Sequence, residues 1–485
     1  MSLPKLANYA GGKFVEPISA AYLDNVDPST GAVYSYVPDS DDRDAERAVA
    51  AAEKAFVTWS QTPTAERSRI LLKLADLIDA NLERLARAEC IDNGKPVKLA
   101  RTLDIPRAAA NFRFFATAIV HFHSESHVTD GVGLNYTLRQ PRGVCGMISP
   151  WNLPLYLFSW KVAPAIACGN TVVAKPSELT PMTAYMLCEL CTQAGLPPGV
   201  LNVVHGLGAK AGSAIVAHPN VRTLSFTGGT VTGREIARIA GPLFKKVGLE
   251  LGGKNPNLIF ADADLDEAIR ESLRSSFTNQ GQICLCGSRV FVERPVYDRF
   301  VSRFVEAATK LRVGDPLDEF TEQGALVSRS HVEKVRSYVD LAKQEGGRIL
   351  CGGAVPAGLP ERCRGGYFFE PTVITELPVD CRVNREEIFG PVVTITPFDD
   401  ERQVIDYANG TDYGLSAAVW TSKVGRAHRV AEALQVGTVW VNCWLVRDLR
   451  VPFGGVKNSG VGREGGVEAL RFFTEPKNVC VRIPK

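Results

Sequence analysis

The chain is predicted to be an α/β protein, and three observations carry that prediction. From about Gly143 short β-rich runs alternate with segments of helical period, the rhythm of a parallel sheet whose crossovers place helices on both faces. A second series of the same kind begins near Asn255. The composition is that of an ordinary globular chain, 45% apolar and 22% charged over 485 residues, long enough for two or three packed domains.

Two helices are expected to open the fold. The first runs from Asp42 to Trp59; the second follows Thr62 and Pro63, its Ile70, Leu71, Leu74, Leu77, Ile78, Leu82 and Leu85 recurring at helical spacing, and the pair forms a one-sided outer layer. The alternating series is then VCGMIS, a helix from Pro154 to Cys168, TVVAK, a helix from Thr183 to Ala194, VLNVV, a short helix, RTLSF, a helix from Val231, and KKVGLEL. The second series holds PNLIF, a helix from Leu265 to Phe277, SRVFVE, a long helix to Leu311, and the runs YFFEPTVIT, PVVTITPF and GTVWVN. His121 to Arg139 is polar and β-prone, and the terminal NVCVRI is a strand without a local partner. Both suit an oligomerising arm.

Composition excludes several classes. The net charge of +2 comes from 55 basic and 53 acidic residues mixed along the chain, so nothing recruits nucleic acid or an anionic membrane surface. No apolar stretch reaches the ~18 residues of a membrane span, and the polar, glycine-broken start is not a secretory signal, so a cytoplasmic location is expected. Twelve scattered cysteines form neither a disulfide framework nor a zinc pattern, and the seven histidines form no ligand cluster. No metal is expected. Cys188 and Cys191 match CxxC but lie in an apolar-periodic segment and are read as core.

Three segments carry candidate chemistry. In SFTNQGQICLCGS a cysteine lies between glycines at a strand entrance, where amide N–H groups can stabilise a thiolate. In GLELGGKN a lone carboxylate, Glu250, interrupts an apolar strand just before two glycines, and a buried acid needs a reason. The same segment fits the start of a phosphate-binding GxxxxGK loop, but Asn255 stands where Ser or Thr would hold magnesium, and a glutamate inside the loop would repel phosphate. In ISPWNLP, Asn152 can donate a hydrogen bond into a pocket. TVVAKPSE ends a strand on Lys175 and Glu178, and GGTVTG leads into a helix, the layout of a nucleotide site. No GxSxG elbow is present for a serine hydrolase.

Taken in order, PWN, KPSE, FTG with a glycine five residues on, LELGGK, NQGQIC, EEIFGP and PFGGVKNSG resemble the aldehyde dehydrogenase superfamily over essentially the whole chain. The resemblance implies a Rossmann-like NAD-binding domain of five strands over residues 1–120 and 140–252, an α/β catalytic domain over 253–460, and a small β oligomerisation arm over 121–139 and 470–485, in a homodimer or homotetramer. It implies Cys284 as nucleophile rather than Cys286, Glu250 as general base and Asn152 as oxyanion donor. For NAD it implies Lys175 and Glu178 at the adenine ribose, Gly208 and Gly212 at the adenine end, and Gly228 to Gly233 at the pyrophosphate. Ser149, Pro150, Trp151, Phe226 and Leu251 complete the cleft, with Glu387 and Phe389 at the nicotinamide. Glu178 would repel a 2′-phosphate, favouring NAD over NADP. Gly229 departs from the family, where a serine commonly follows FTG, leaving phosphate to backbone N–H groups or water.

Arg107, in DIPRAAANFRFFA, and Arg447, in NCWLVRDLRVPFGG, fall with Phe453 at the family's substrate tunnel, where two guanidiniums would bind a carboxylate at the far end of the aldehyde. With GQICLCGSR and ARTLDIPR these segments resemble the enzymes acting on 2-aminomuconate semialdehyde and, nearly as well, 2-hydroxymuconate semialdehyde. If instead Arg447 pairs with Asp448 as a structural residue, retinal or other apolar aldehydes return as candidates. A non-catalytic structural relative would lack the nucleophile or base, and an acyl-transferring relative would need coenzyme A.

Overall fold

The computed structural model describes residues 3–484. Five strands form a parallel core, in the spatial order Leu201–Val203, Thr171–Lys175, Val144–Ile148, Val221–Thr227 and Lys246–Glu250. Antiparallel edges extend it to eight strands: Asn8–Ala10 and Lys13–Val15 on one side, Gly460–Val461 on the other. Chain order reverses between Val144–Ile148 and Val221–Thr227, and in open α/β sheets ligands bind at such a switch point, beyond the carboxyl ends of the strands. Ile148, Lys175, Thr227 and Glu250 are all last residues of their strands.

A seven-stranded sheet runs Arg348–Cys351, Thr372–Thr375, Val392–Phe398, Arg289–Glu293, Pro256–Ile259, Ser416–Trp420 and Thr438–Val441, parallel except at its first strand. Ser416–Trp420, one strand in from the edge, is buried throughout. The expected lone C-terminal strand, Thr474–Arg482, finds its partner in Gly133–Pro141, which also pairs with Ser126–Thr129. Val128, Leu134 and Val481 share one cross-strand row of this sheet, and all three are exposed.

The opening differs from expectation in two places. The second helix stops at Ala80, and Leu82 and Leu85 belong to a separate helix, Leu82–Asn93. The break lies at Asn81, whose side-chain amide donates to the Leu77 carbonyl at 2.8 Å and satisfies the helix end. Before Asp42 stand four short strands that the helical-period reading passed over, including the hairpin Tyr22–Asp27 with Ala32–Pro38. The helix Asp42–Trp59 buries Ala45, Ala48, Val49 and Ala52, one face at helical spacing, against the first sheet.

The helix Pro154–Ala167 is buried on nearly every side, so it lies inside the molecule and not over it. No helix among the described residues is long and apolar enough to cross a membrane.

Candidate active site

The approach to Cys284 is a strained turn. Asn279 and Gln280 both take positive φ, 54° and 56°, a conformation that side chains other than glycine adopt only where surrounding bonds hold it. Those bonds are present: the Asn279 amide donates to the Asn152 carbonyl at 3.0 Å, and that of Gln280 to the Ala325 carbonyl at 2.7 Å. Past the turn the Asn255 amide donates to the Cys284 carbonyl at 2.7 Å and fixes the backbone of the cysteine. The Asn152 side-chain amide donates to the Gln282 carbonyl at 2.9 Å, two residues from the sulfur-bearing position.

Cys284 stands where two cavities meet. One, of about 260 Å³, is walled by Pro150, Trp151, Asn152, Gly228, Glu387 and Phe389, with Gly229 and Leu251 also on its surface. The other, with about 30 Å³ of space, is walled by Tyr156, Trp160, Glu250, Arg447, Phe453 and Glu464. Burial pushes the Cys284 thiol up to about 12; the Glu387 and Glu250 carboxylates push the same way and Arg447 opposes them.

The wider cavity and the strand ends beside it carry features suited to a dinucleotide. Gly229 caps the helix Thr230–Ala240 without a side-chain hydrogen bond, and a side chain there would meet nothing within 4 Å, so the amides at this helix start are open to an anion. The hydroxyls of Ser149 and Thr227 are buried and have no partner among the described residues. Lys175, at the neighbouring strand end, donates to Pro176 and Gly206 carbonyls at 2.9 and 2.8 Å and to Glu178 at 3.1 Å. Gly212 lies against its methylenes, in the turn Gly208–Gly212. Phe226 packs beside Gly228, and Gly233 leaves room for Leu251. The Glu387 carboxylate accepts from the Gly253 N–H at 2.9 Å, an approach possible because Gly252 has no side chain to collide with it.

Glu250 has one carboxyl oxygen buried with no partner among the described residues. Burial holds its pKa well above the usual carboxylate value; Glu464 adds to this, while Lys161, Arg447 and Arg463 oppose it. Gly454, at φ +159°, lets the PFGG turn pass against this carboxyl, since a side chain there would stand 2.9 Å from its Oε1. Behind it the buried Lys161 ammonium donates to Glu464 at 2.7 Å and to Ser225 at 2.9 Å.

In the narrower cavity the Arg447 guanidinium lies 3.8 Å from the centre of the Phe453 ring and 5.7 Å from that of Trp160. Arg107 does not itself line the cavity; its guanidinium lies 5.4 Å from Tyr156 and 6.0 Å from Trp160, two residues that do. Burial lowers the pKa of Arg107, and the Arg447 cation contributes to the lowering. Nitrogens of both guanidiniums are buried without partners among the described residues. The alternative pairing of Arg447 with Asp448 does not form: Asp448 bonds Arg450 at 2.6 Å.

The chain matches the aldehyde dehydrogenase family over residues 14–479. It belongs to that family. It is 55% identical to the 2-aminomuconic semialdehyde dehydrogenase of Danio rerio over 98% of each chain. It is 46% identical to the 2-hydroxymuconic semialdehyde dehydrogenase of Pseudomonas sp. (strain CF600), over 99% of this chain and 100% of that one. The NAD+ complex of an aldehyde dehydrogenase from Bacillus cereus superposes with a TM-score of 0.96 at 41% identity, covering 99% of this chain and 97% of that one. The family thus fits the residues that the fold collects around Cys284.

Several residues at the site were not singled out from sequence. His331 and Lys334 line the wider cavity, and the His331 Nε2–H donates to the Phe389 carbonyl at 2.6 Å. Lys161 had a usable signal, a lone charge inside the apolar run LYLFSWKVAPAIA, because a cation buried in an apolar helix needs an anionic partner. Glu464 had none, since its neighbours are glycines and polar residues of a surface-like stretch.

Proposed function

We propose that this aldehyde dehydrogenase oxidises 2-aminomuconate 6-semialdehyde to 2-aminomuconate with NAD. The observation that carries the reading is the pair Arg107 and Arg447, both half-buried and with unpartnered guanidinium nitrogens among the described residues: Arg447 lines the narrow cavity that ends at Cys284, and Arg107 packs on Tyr156 and Trp160 of its wall. An aldehyde with a carboxylate at its far end satisfies both guanidiniums while its carbonyl meets the sulfur, and a plain aldehyde leaves two cations unpaired.

In this reading the Cys284 thiol loses its proton to solvent water, and the thiolate attacks the aldehyde carbon, forming a thiohemiacetal whose oxyanion is held by the Asn152 amide and the Cys284 N–H. Asn152 serves this once its amide turns its free N–H toward the cavity. NAD, when bound, supplies the acceptor for the hydride that leaves as the adduct becomes a thioester. Lys175 and Glu178 hold the adenine ribose, the amides after Gly228 the pyrophosphate, and Glu387 the nicotinamide ribose. Glu250 then takes a proton from water, which attacks the thioester and releases the acid and the Cys284 thiolate. The Lys161 ammonium behind Glu464 helps Glu250 stay ionised for that step.

We place the enzyme in the cytoplasm, consistent with twelve free thiols, and as a homodimer or homotetramer joined through the three-stranded arm. The proposed division is a NAD-binding domain over 1–120 and 140–252, a catalytic domain over 253–460 and the arm over 121–139 and 470–485. Gly460–Val461 nonetheless completes the first sheet, so the chain crosses back before the arm.

The test is NADH formation from 2-aminomuconic and 2-hydroxymuconic semialdehydes without coenzyme A, with Arg107→Ala and Arg447→Ala beside the wild type. Each substitution should raise KM at least about tenfold, ~1.4 kcal/mol. Unchanged KM in both variants would remove the carboxylate clamp.

A further inference from the structure

A buried charge cluster joins the loop carrying Asn152 to the helix carrying Arg107. Lys95, fully buried, pairs with Asp104, donates to the Asn152 carbonyl at 3.0 Å and lies 3.7 Å from Glu89. The same stretch of chain grips the loop at two more points: Asn93 donates to the Trp151 carbonyl at 2.8 Å, and Glu89 accepts from the Leu155 N–H at 3.2 Å. Asp104 is the last residue of a π-helical turn, Ala100–Asp104, and the helix Ile105–Ala118 with Arg107 in its first turn follows directly. A π turn is a widened one, common at functional positions, so where it is anchored decides where the following helix begins. At the far end of the interface Asn111 bonds the Tyr156 carbonyl and Ser159; Lys95 to Asp104 is the fastening nearest the site. Glu89 is pushed up to about 8 by burial and by Asp104.

We infer that Lys95 and Asp104 are positioning residues that set the distance between the Asn152 amide and the Arg107 guanidinium, and so match the site to the length of a substrate carrying an aldehyde at one end and a carboxylate at the other. The inference rests on the proposed carboxylate clamp. An unsaturated substrate cannot fold to suit a wrong spacing, so misplacing one anchor weakens binding at the other.

The experiment is the ratio of kcat/KM for 2-aminomuconic semialdehyde to that for propanal, with thermal melts on each variant. Asp104→Asn should lower the ratio at least about tenfold, mostly through KM for the semialdehyde. Glu89→Gln, which disturbs the same cluster but spares the Lys95 to Asp104 link, should keep the ratio within about twofold of wild type. Should Asp104→Asn not fold, Asp104→Glu keeps the charge, lengthens the link by one methylene, and should show the same loss. An Arg107→Ala control separates the two ideas: if it fails to lower the ratio the clamp itself is wrong. If it lowers the ratio and the Asp104 variants do not, or if Glu89→Gln lowers it equally, the positioning role is overturned.

Discussion

At the scale of single residues the resting state of Cys284 is the point of interest, because the reaction needs a thiolate and the surroundings oppose one. Desolvation raises the thiol to about 12 and two carboxylates add to it; Arg447 and a backbone hydrogen bond at Cys284 draw it down by less. The neutral thiol is therefore the resting form, and the charged form is reached as substrate or cofactor rearranges the cavity. Without ligands, alkylation of Cys284 by iodoacetamide should quicken about tenfold per pH unit between roughly pH 7 and 10, with no plateau. Mass spectrometry resolves it from the exposed Cys480. A plateau below about pH 9 would mean that the protein stores the thiolate.

At the scale of elements, strand ends and helix starts do most of the positioning. Ile148, Thr227 and Glu250 end parallel strands, so the residues after them emerge on one edge of the sheet, where Asn152, Gly228 and Gly252 meet Cys284 and Glu387. The helix Leu82–Asn93 contributes Glu89 to the charge cluster beneath that edge. Because the folded protein holds Glu89 at about 8 against an ordinary value of 4.5, folding favours its protonated form. Its contribution to stability is full below about pH 4.5 and is lost as pH rises through about 8. The melting temperature of wild type relative to Glu89→Gln should accordingly fall from roughly pH 5 to pH 8 and level off above. A difference that is flat across that range would show that Glu89 is ionised in the fold.

At the scale of the whole molecule, the three-stranded arm stands out for its exposed apolar row. Val128, Leu134 and Val481 face solvent side by side, 73%, 37% and 47% exposed, and such an apolar row suits burial against another copy. Val128→Asp combined with Val481→Asp should shift sedimentation toward the monomer while the melting profile of the two larger sheets is retained. Sedimentation identical to wild type would remove this face from the assembly.

Much of this was legible in the linear chain, for identifiable reasons. The strand and helix alternation from Val144 to Glu250 was readable because side chains of a sheet buried on both faces must be apolar at every position, whereas Cys284, Glu250 and Asn152 were singled out only through the ordered set of family motifs, each segment alone being weak. Local pattern failed at Asn81, where one side-chain bond ends a helix whose apolar period continues, and at Ser416–Trp420, whose small residues carry little strand signal. What the sequence determined by itself was the fold class, the family and the residue types of the reaction, since these follow from periodicity and from motifs a few residues long. The tertiary structure alone decided that Arg447 shares a cavity with Glu250 and packs with Arg107 on Trp160, that Lys161 stands behind Glu464, and that Lys95 ties Asn152 to Asp104. Those pairings join segments far apart in the chain, and short-range forces between side chains act only once packing has brought them within reach.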